Sequence, residues 1–369
     1  MAQARTRKKI VIKGNDYDGC LGWVALLTSP YFQTRHEIVR PDGQKLPKEI
    51  NNEILKSFLV NSGYGKKIKE QFNDPSIEEI ILTSSSSRQN LELDLFARIT
   101  HMLEPGGDGD SGSAFLFLDT LSEFLEEELK SKKIKKDQRT FDDIWNKKDL
   151  GSAYKHIASE YKRLGLDSGN FTENLQGLKD QYSKLLESKE PPLVFDNEKI
   201  TLLYAQIHSF AKEHKDDDIL FEFYDDRENI CGALHYAFSN FPQLLPKNVQ
   251  FKIYHYDLFH DDIDELISRI QKNPLDENCY ALIKGTGSID ESYSDHIKEL
   301  HAIFLKHLGK SPHADKAKIK NILEEYLAVV IQKNTSLQQY SLTKDFTVNN
   351  NKNKKPENEE ITKLALQPH

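Results

Sequence analysis

The feature that most constrains the fold is a strand–turn–helix pattern that occurs three times along the chain. Each copy begins with a short apolar run, continues through a polar turn and enters an amphipathic segment. The three runs are KIVIKG (9–14), IEEIILT (77–83) and ILFEFY (219–224). Strands that alternate with helices pair in parallel and place helices on both faces of the sheet. The pattern therefore predicts a doubly wound, mostly parallel α/β sheet, to which VQFKIYHY (249–256) and CYALIKG (279–285) add two strands.

The composition changes between the second and third copies of this pattern. Residues 105–192 begin in a Gly-rich loop and are then charged and mostly of helical periodicity. We interpret them as a helical cap inserted into an α/β domain, whose two parts are residues 1–104 and 193–333. The tail, residues 334–369, is polar and rich in Asn and Lys. It is predicted to be disordered, because it has little apolar surface to bury.

The charge balance disfavours a nucleic-acid partner. The 369 residues include 50 Lys and Arg against 58 Asp and Glu, a net charge of −8, and such a surface repels a phosphate backbone. One basic run, residues 130–139, is short and lacks interleaved aromatic side chains, so we interpret it as a solvated helix end or loop. No apolar run approaches the ~20 residues of a transmembrane segment, and we expect no Sec signal peptide. The cysteines Cys20, Cys231 and Cys279 lack metal-ligand spacing and fit a reducing compartment.

The turn after each of the three strands carries polar side chains. The first turn carries Asp16 and Asp18, the second the hydroxyl-rich run TSSSSRQN (83–90), and the third Asp225 and Asp226. Because the carboxyl ends of parallel strands open on one edge of a sheet, we expect the three clusters to lie close together. Two neighbouring carboxylates repel each other unless a cation lies between them. The pattern thus points to a cation site at this edge.

Each cluster also has a purely structural interpretation. DYDG is a common turn sequence, in which Asp side chains bond local amides. The serine run can form the N-terminal cap of a helix, and Asp225 and Asp226 can cap the helix that opens at Arg227. Lys199, at the start of a predicted helix, is by itself a typical surface lysine. The joint occurrence of all four elements in this order favours a functional site.

Two further motifs are interpreted as structural. GTGSID (285–290) follows a predicted strand but lacks both the GxGxxG and the Walker lysine patterns, so it predicts a turn. His208 lies at helical spacing among apolar residues, which predicts a packed side chain rather than a catalytic one.

The four elements together resemble the motifs of the haloacid dehalogenase-like (HAD-like) superfamily. DYDGCL resembles the first family motif, DxDG, with Cys20 where the family usually has Thr or Val. IILTSSSS resembles the second motif, a Ser or Thr that closes an apolar strand. Lys199 corresponds to the third, a lysine before a helix, and FEFYDD to the fourth, an acidic pair that closes a strand.

A narrower resemblance is carried by SSRQN, FYDDRENI and GTGSIDESY. These segments are similar to HAD-like proteins of intracellular bacterial pathogens, some of which are substrates of type IV secretion. The resemblance, over about residues 8–293, implies a HAD-like, Rossmann-type fold and a protein that is made in the bacterial cytoplasm and delivered into a host cell as an effector. The terminal stretch KPENEEITKLAL fits either a secretion signal or a frayed tail.

The HAD-like resemblance implies a phosphatase that acts through an aspartyl-phosphate. Asp16 would be the nucleophile, and Asp18 would protonate the leaving oxygen and later deprotonate water. Ser84, or Ser86 in another register, would bind a phosphoryl oxygen. Lys199 would stabilise the charge of the nucleophile and the phosphoryl group.

The same resemblance implies a Mg²⁺ cofactor. Asp16, the backbone carbonyl of Asp18 and either Asp225 or Asp226 would hold the ion. The expected partner is a phosphorylated substrate, whose class the motifs do not specify. Two alternatives stay open: a catalytically weak HAD-like protein that binds a host protein through its helical insert, and an acidic cluster that holds a purely structural cation.

Overall fold

The computed structural model contains one unit of residues Met1–Tyr326 and a second of residues Leu327–His369. The sheet and the candidate site belong to the first unit. Three sequence predictions fall outside the described residues: Asp18, the helix predicted after Cys20, and the disordered tail. The structure describes residues 7–17, 20, 59–103, 113–165, 175–186, 196–258, 265, 268–270, 278–308 and 314–333.

A six-stranded sheet forms the centre of the first unit. Its strands are β1 (Lys9–Asn15), β2 (Ile77–Ser84), β3 (Ile134–Lys136), β4 (Asp218–Asp225), β5 (Val249–His255) and β6 (Cys279–Lys284). The order across the sheet is β3-β2-β1-β4-β5-β6. The first five strands run parallel, and β6 pairs antiparallel with β5. The predicted mostly parallel α/β sheet is therefore confirmed, and it is compatible with a Rossmann-like fold.

Helices connect and cover the strands. Within the described residues they are α1 (Gly63–Asn73), α2 (Leu91–Leu103), α3 (Ala114–Leu129), α4 (Phe141–Trp145), α5 (Ser152–Leu164), α6 (Leu175–Leu186), α7 (Ile200–Glu213), α8 (Glu228–Asn240), α9 (Tyr293–Leu308) and α10 (Lys316–Lys333). Capping residues explain where several of them begin, since Ser62, Ser113 and Thr140 each accept backbone N–H groups of the first turn. Among these described helices, none has the length and apolar composition needed to cross a membrane.

The helices lie on both faces of the sheet. On one face, Val11 of β1 belongs to the same apolar cluster as Tyr64 of α1 and Leu118 of α3. On the other face, Phe210 of α7 meets Phe221 of β4 edge-on, with ring centroids 6.2 Å apart. Successive side chains of a strand alternate between the two faces. Burial on both faces explains why β1 is buried almost throughout its length.

The segment predicted as a helical insertion also contributes a strand to the sheet. The basic run after α3 does begin at a helix end, since Lys130 caps α3 in the left-handed conformation. It then continues into the short edge strand β3, which sequence analysis missed. Ile134 is buried in the same cluster as α1 and α3, whereas Lys135 and Lys136 pair with Glu79 and Asp119. Three residues, two of them charged, give too little periodicity to reveal a strand.

GTGSID has a structural role, as predicted, but it is not a turn: Gly287 forms an isolated parallel bridge with Pro246. The backbone N–H of Gly287 donates to the Leu245 carbonyl at 2.8 Å, and the Gly287 carbonyl accepts from Lys247 N at the same distance. A Cβ atom on Gly287 would lie only 2.0 Å from the Gln243 carbonyl oxygen. This segment therefore needs glycine at position 287 because another backbone passes against it.

His208 is packed in the interior, which confirms its predicted structural role. Its Nδ1 accepts from the backbone N–H of Asp290 at 2.9 Å, and its Nε2 lies 3.0 Å from the Leu244 carbonyl oxygen. Both bonds form together only when the ring is neutral and carries its proton on Nε2. Burial lowers the pKa of His208 to about 4.

The depressed pKa predicts acid sensitivity. Because the unfolded chain protonates this ring near the ordinary histidine pKa of 6.5, the neutral imidazole stabilises the fold above that pH, and this contribution is lost as pH falls toward about 4. The full loss is roughly 3 kcal/mol, at about 1.4 kcal/mol per pKa unit. Urea unfolding of wild type and His208→Gln at pH 7 and pH 4.5 measures it. We expect wild type to lose more stability than the variant on acidification; equal losses would contradict the assignment.

Candidate functional site

The candidate site lies at the carboxyl edge of the sheet, between β1 and β4. The chain leaves β1 toward β2 on one side, and β4 lies on the other side, so the strand order reverses here. Such a reversal leaves a crevice beyond the strand ends. Asp16 directly follows β1, and Asp225 is the last residue of β4. The Asp16 N–H donates to the Tyr224 carbonyl at 2.9 Å, which holds the two strand ends side by side.

Three carboxylates meet in this crevice. One oxygen from each of Asp16, Asp225 and Asp226 lies within 4.8 Å of the other two, and within the described ranges this is the only group of its kind. Asp16 is 4% exposed and Asp225 is fully buried. Oxygen ligands in this number and spacing suit a hard divalent cation. Asp18, the fourth expected ligand, lies outside the described residues.

Lys199 lies between two of the carboxylates. Its Nζ is 3.0 Å from Asp16 Oδ1 and 2.8 Å from Asp225 Oδ2, and the side chain is fully buried. Burial alone would lower the pKa of Lys199, but the charges of Asp16 and Asp225 outweigh it and raise the pKa. Lys199 is therefore a buried ammonium group that joins two parts of the chain.

The backbone before α7 holds Lys199 in an unusual conformation. Lys199 directly precedes the first residue of α7, and its φ angle of +59° lies in the left-handed region. This conformation costs a non-glycine residue on the order of 1–3 kcal/mol. Asp196 stabilises this turn. Its carboxylate accepts from the N–H groups of Ile200 at 2.5 Å and Thr201 at 2.8 Å, and its carbonyl accepts from Lys199 N at 2.9 Å. Sequence analysis missed Asp196, although an Asp just before a helix is a recognisable capping signal.

The site carries more negative charge than Lys199 neutralises. Burial, together with the charges of Asp16 and Asp225, raises the pKa of Asp226 to about 7. Arg227 lies at the rim, with its Nε 3.8 Å from Asp225 Oδ1 and its side chain 44% exposed. Its backbone N–H also donates to Asp225 Oδ1 at 2.9 Å. Asp225 thus orders the backbone just before α8 while it pairs with Lys199. The capping role considered from the sequence is wrong for Asp225, because Arg227 is the N-cap residue and Asp225 bonds its N–H rather than an N–H of the first helical turn.

The serine turn (residues 84–87) begins at the last residue of β2, beside Asp16. Ser84 pairs in register with Asn15, and both line a small cavity together with Asp16. Part of the cavity wall is apolar and comes from Phe117 and Leu118 of α3. Among the described residues, no group forms a hydrogen bond with the buried Ser84 hydroxyl. Ser84 therefore presents an unused donor next to Asp16.

Ser86 has a different environment. Its hydroxyl is also buried without a hydrogen-bond partner among the described residues, but Ser86 does not line the cavity that Ser84 and Asp16 share. The helix-cap interpretation of the serine run is wrong, because α2 is capped by Asn90, whose Oδ1 accepts from Leu93 N at 2.9 Å.

A second buried ion pair lies beneath the site. Lys13 Nζ is 2.5 Å from Glu222 Oε2, and both side chains are almost fully buried. Gln71 and Tyr224 also donate hydrogen bonds to the Glu222 carboxylate. Lys13 and Glu222 are directly paired across β1 and β4. A slip in register would leave both charges buried and unpaired, so the pair favours the alignment that places Asp16 beside Asp225.

Comparisons of the chain with protein-family models, curated protein sequences and solved structures give no significant match. The function is therefore inferred from the geometry of the site and from its motifs.

The two short contacts of Lys199 predict that its replacement strongly destabilises the fold. In Lys199→Met, Asp16 and Asp225 lose the buried ammonium group that lies between them, and we expect the free energy of unfolding in EDTA-containing buffer to fall by about 3–5 kcal/mol. Lys8→Met is the matched control, since Lys8 pairs with Glu78 at 2.7 Å while both side chains are about half exposed; it should cost about 0–1 kcal/mol. Urea unfolding measures both. Equal stability of the two variants would contradict the ion-pair geometry.

Proposed function

We propose that the chain is a HAD-like phosphohydrolase that uses a divalent cation, most simply Mg²⁺, and acts through an aspartyl-phosphate intermediate. One observation carries the proposal. The ammonium group of Lys199 lies within 3.0 Å of Asp16 and 2.8 Å of Asp225, with Asp226 beside them, although these residues come from three distant segments. These residues belong to the first, third and fourth motifs, which the resemblance requires at one place.

Asp16 is the proposed nucleophile. A carboxylate oxygen of Asp16 attacks phosphorus, the bond to the leaving oxygen breaks, and an acyl phosphate forms on the side chain. Asp18 is proposed to donate the proton that the leaving oxygen needs. In the second step it takes a proton from water, whose oxygen attacks phosphorus, releases inorganic phosphate and restores Asp16. Splitting the displacement in this way lowers the high barrier of phosphate-ester hydrolysis.

Lys199 and Ser84 are proposed to hold the phosphoryl group. The buried ammonium lies 3.0 Å from Asp16 Oδ1 and offsets the negative charge that a phosphate brings into the crevice. The hydroxyl of Ser84 shares the cavity with Asp16 and is available to donate to a phosphoryl oxygen. Between Ser84 and Ser86, the shared cavity favours Ser84.

The residues at the strand ends fit a divalent cation. Three carboxylates lie beside one buried ammonium group, with Arg227 only at the exposed rim, and a divalent cation would offset the excess of negative charge. Asp16, Asp225 and Asp226 would hold the ion. Burial and then the charges of Asp16 and Asp225 raise the pKa of Asp226, which supports the proposal that a cation offsets the crowded carboxylates. When bound, such an ion supplies Lewis-acid stabilisation of phosphoryl oxygens.

Loss of the nucleophile tests the reaction most simply. We expect wild type with Mg²⁺ to release phosphate from p-nitrophenyl phosphate, and Asp16→Asn to lose roughly a thousandfold or more of kcat/KM, because the amide cannot form the acyl phosphate. Asp218→Asn is the control, since Asp218 lies exposed at the other end of β4 and should retain activity. Full activity in Asp16→Asn would rule out the assignment. Absence of hydrolysis by wild type would favour a non-catalytic binding protein instead.

Asp226 tests the cation site without a substrate. In EDTA at pH 8, Asp226→Asn should melt at a higher temperature than wild type, because it removes one of three mutually repelling carboxylates. Because the pKa of Asp226 is higher in the folded state than in the unfolded chain, wild type loses stability as pH rises from about 4 to about 7. At pH 8 Asp226 is ionised in both states, and the full destabilisation by its buried charge is present. Added Mg²⁺ should then raise the melting temperature of wild type more than that of the variant. Equal shifts would contradict a role of Asp226 in cation binding.

A further inference from the structure

Gln206 of α7 holds the serine turn by two hydrogen bonds. Its side-chain Nε2 donates to the Ser84 carbonyl at 2.8 Å, and its Oε1 accepts from the Ser85 hydroxyl at 2.6 Å. Gln206 is fully buried. One amide side chain thus binds two consecutive residues, one through the backbone and one through the side chain. This fixes both the position and the rotation of the turn.

The packing of Ser85 explains why Ser84 turns toward the cavity. A Cβ atom on Gly14 would lie 2.5 Å from Ser85 Oγ and 2.9 Å from the Phe221 ring. Ser85 therefore lies over Gly14, on the face of the sheet that α7 covers. Neighbouring residues of an extended chain point to opposite faces, so Ser84 is directed to the face where it lines the cavity with Asp16.

Helix α7 positions both of the groups that are proposed to bind the phosphoryl oxygens, the Lys199 ammonium and, through Gln206, the Ser84 hydroxyl. Lys199 precedes the first turn of α7 and contacts Asp16, and Gln206 follows about two turns later. The distance between the ammonium group and the serine turn is thereby set by one rigid element. A second glutamine, Gln89, also supports the turn, since its Nε2 donates to the Ser86 carbonyl at 2.6 Å and more weakly to the Ser84 carbonyl at 3.4 Å.

From this geometry we propose that Gln206 is a positioning residue, which acts through Ser84 and aligns its hydroxyl with Asp16 for phosphoryl binding. The inference rests on the proposed function, since it assigns Ser84 a phosphoryl oxygen. Gln206 itself contacts no reacting atom. Removal of the Gln206 amide should therefore lower activity and phosphate affinity only while the Ser84 hydroxyl is present.

A double-mutant cycle tests this dependence. Gln206→Met keeps the side-chain length and removes both hydrogen bonds. We expect it to lower kcat/KM for p-nitrophenyl phosphate, and the affinity for inorganic phosphate measured by calorimetry, by roughly 10- to 100-fold. In the Ser84→Ala background the same change should cost less than about twofold, because a hydroxyl that is absent cannot be misplaced.

Asn248→Leu is the matched control. Asn248 is a buried amide side chain just before β5, at the opposite end of the strands from the site, and it donates to the Asp217 carbonyl at 3.0 Å, so its loss also removes a hydrogen bond. We expect this variant to be less stable but to keep kcat/KM and phosphate affinity. If Gln206→Met does not fold, Ser85→Ala serves instead. It removes only the 2.6 Å bond to Gln206, and it should give a smaller loss that again disappears without Ser84.

The possible failures can be told apart. Equal losses from Gln206→Met with and without the Ser84 hydroxyl, or no loss at all, would overturn the positioning role while wild-type phosphate release still supports the enzyme. Wild type that neither releases nor binds phosphate would overturn the proposed function, and the positioning role with it.

Discussion

The structure of the site depends on one buried ammonium group between two carboxylates. Lys199 touches Asp16 at the end of β1 and Asp225 at the end of β4, so a single charge joins the first and fourth strands to the start of α7. Burial of these groups costs several kcal/mol per ion, which is offset only in a close and fully paired arrangement. Lys199 reaches both carboxylates from a left-handed backbone conformation, and hydrogen bonds to Asp196 stabilise the turn that contains it.

The region below the site is built to keep that arrangement in register. The ion pair of Lys13 and Glu222 lies within the same two strands, and Gln206 holds the serine turn to α7 on the other side of Asp16. These contacts are polar, buried and specific in direction, so they define one alignment of the strand ends. Apolar packing alone would tolerate small shifts at the strand ends. A site that handles a phosphoryl group needs tighter positions than that.

Much of this arrangement could be predicted from local sequence patterns. Apolar runs that end at or next to Asp16, Ser84 and Asp225 predict strands whose carboxyl ends share an edge. Lys199 lies just before a segment with helical periodicity. The supporting contacts could not be predicted. In the sequence, Lys13 and Gln206 are polar residues among apolar neighbours, and the residues that they bind are more than a hundred positions away. β3 was missed because its three residues include two lysines. Such features follow from tertiary contacts rather than from periodicity.

The most direct measurement is a crystal structure with Mg²⁺ and beryllofluoride, which mimics a phosphoryl group on an aspartate. Our account predicts beryllium bonded to a carboxylate oxygen of Asp16, its fluorides in contact with Ser84 Oγ and Lys199 Nζ, and the metal ion held by Asp16 with Asp225 or Asp226. Beryllofluoride bound away from Asp16, or an adduct that neither Ser84 nor Lys199 contacts, would contradict it.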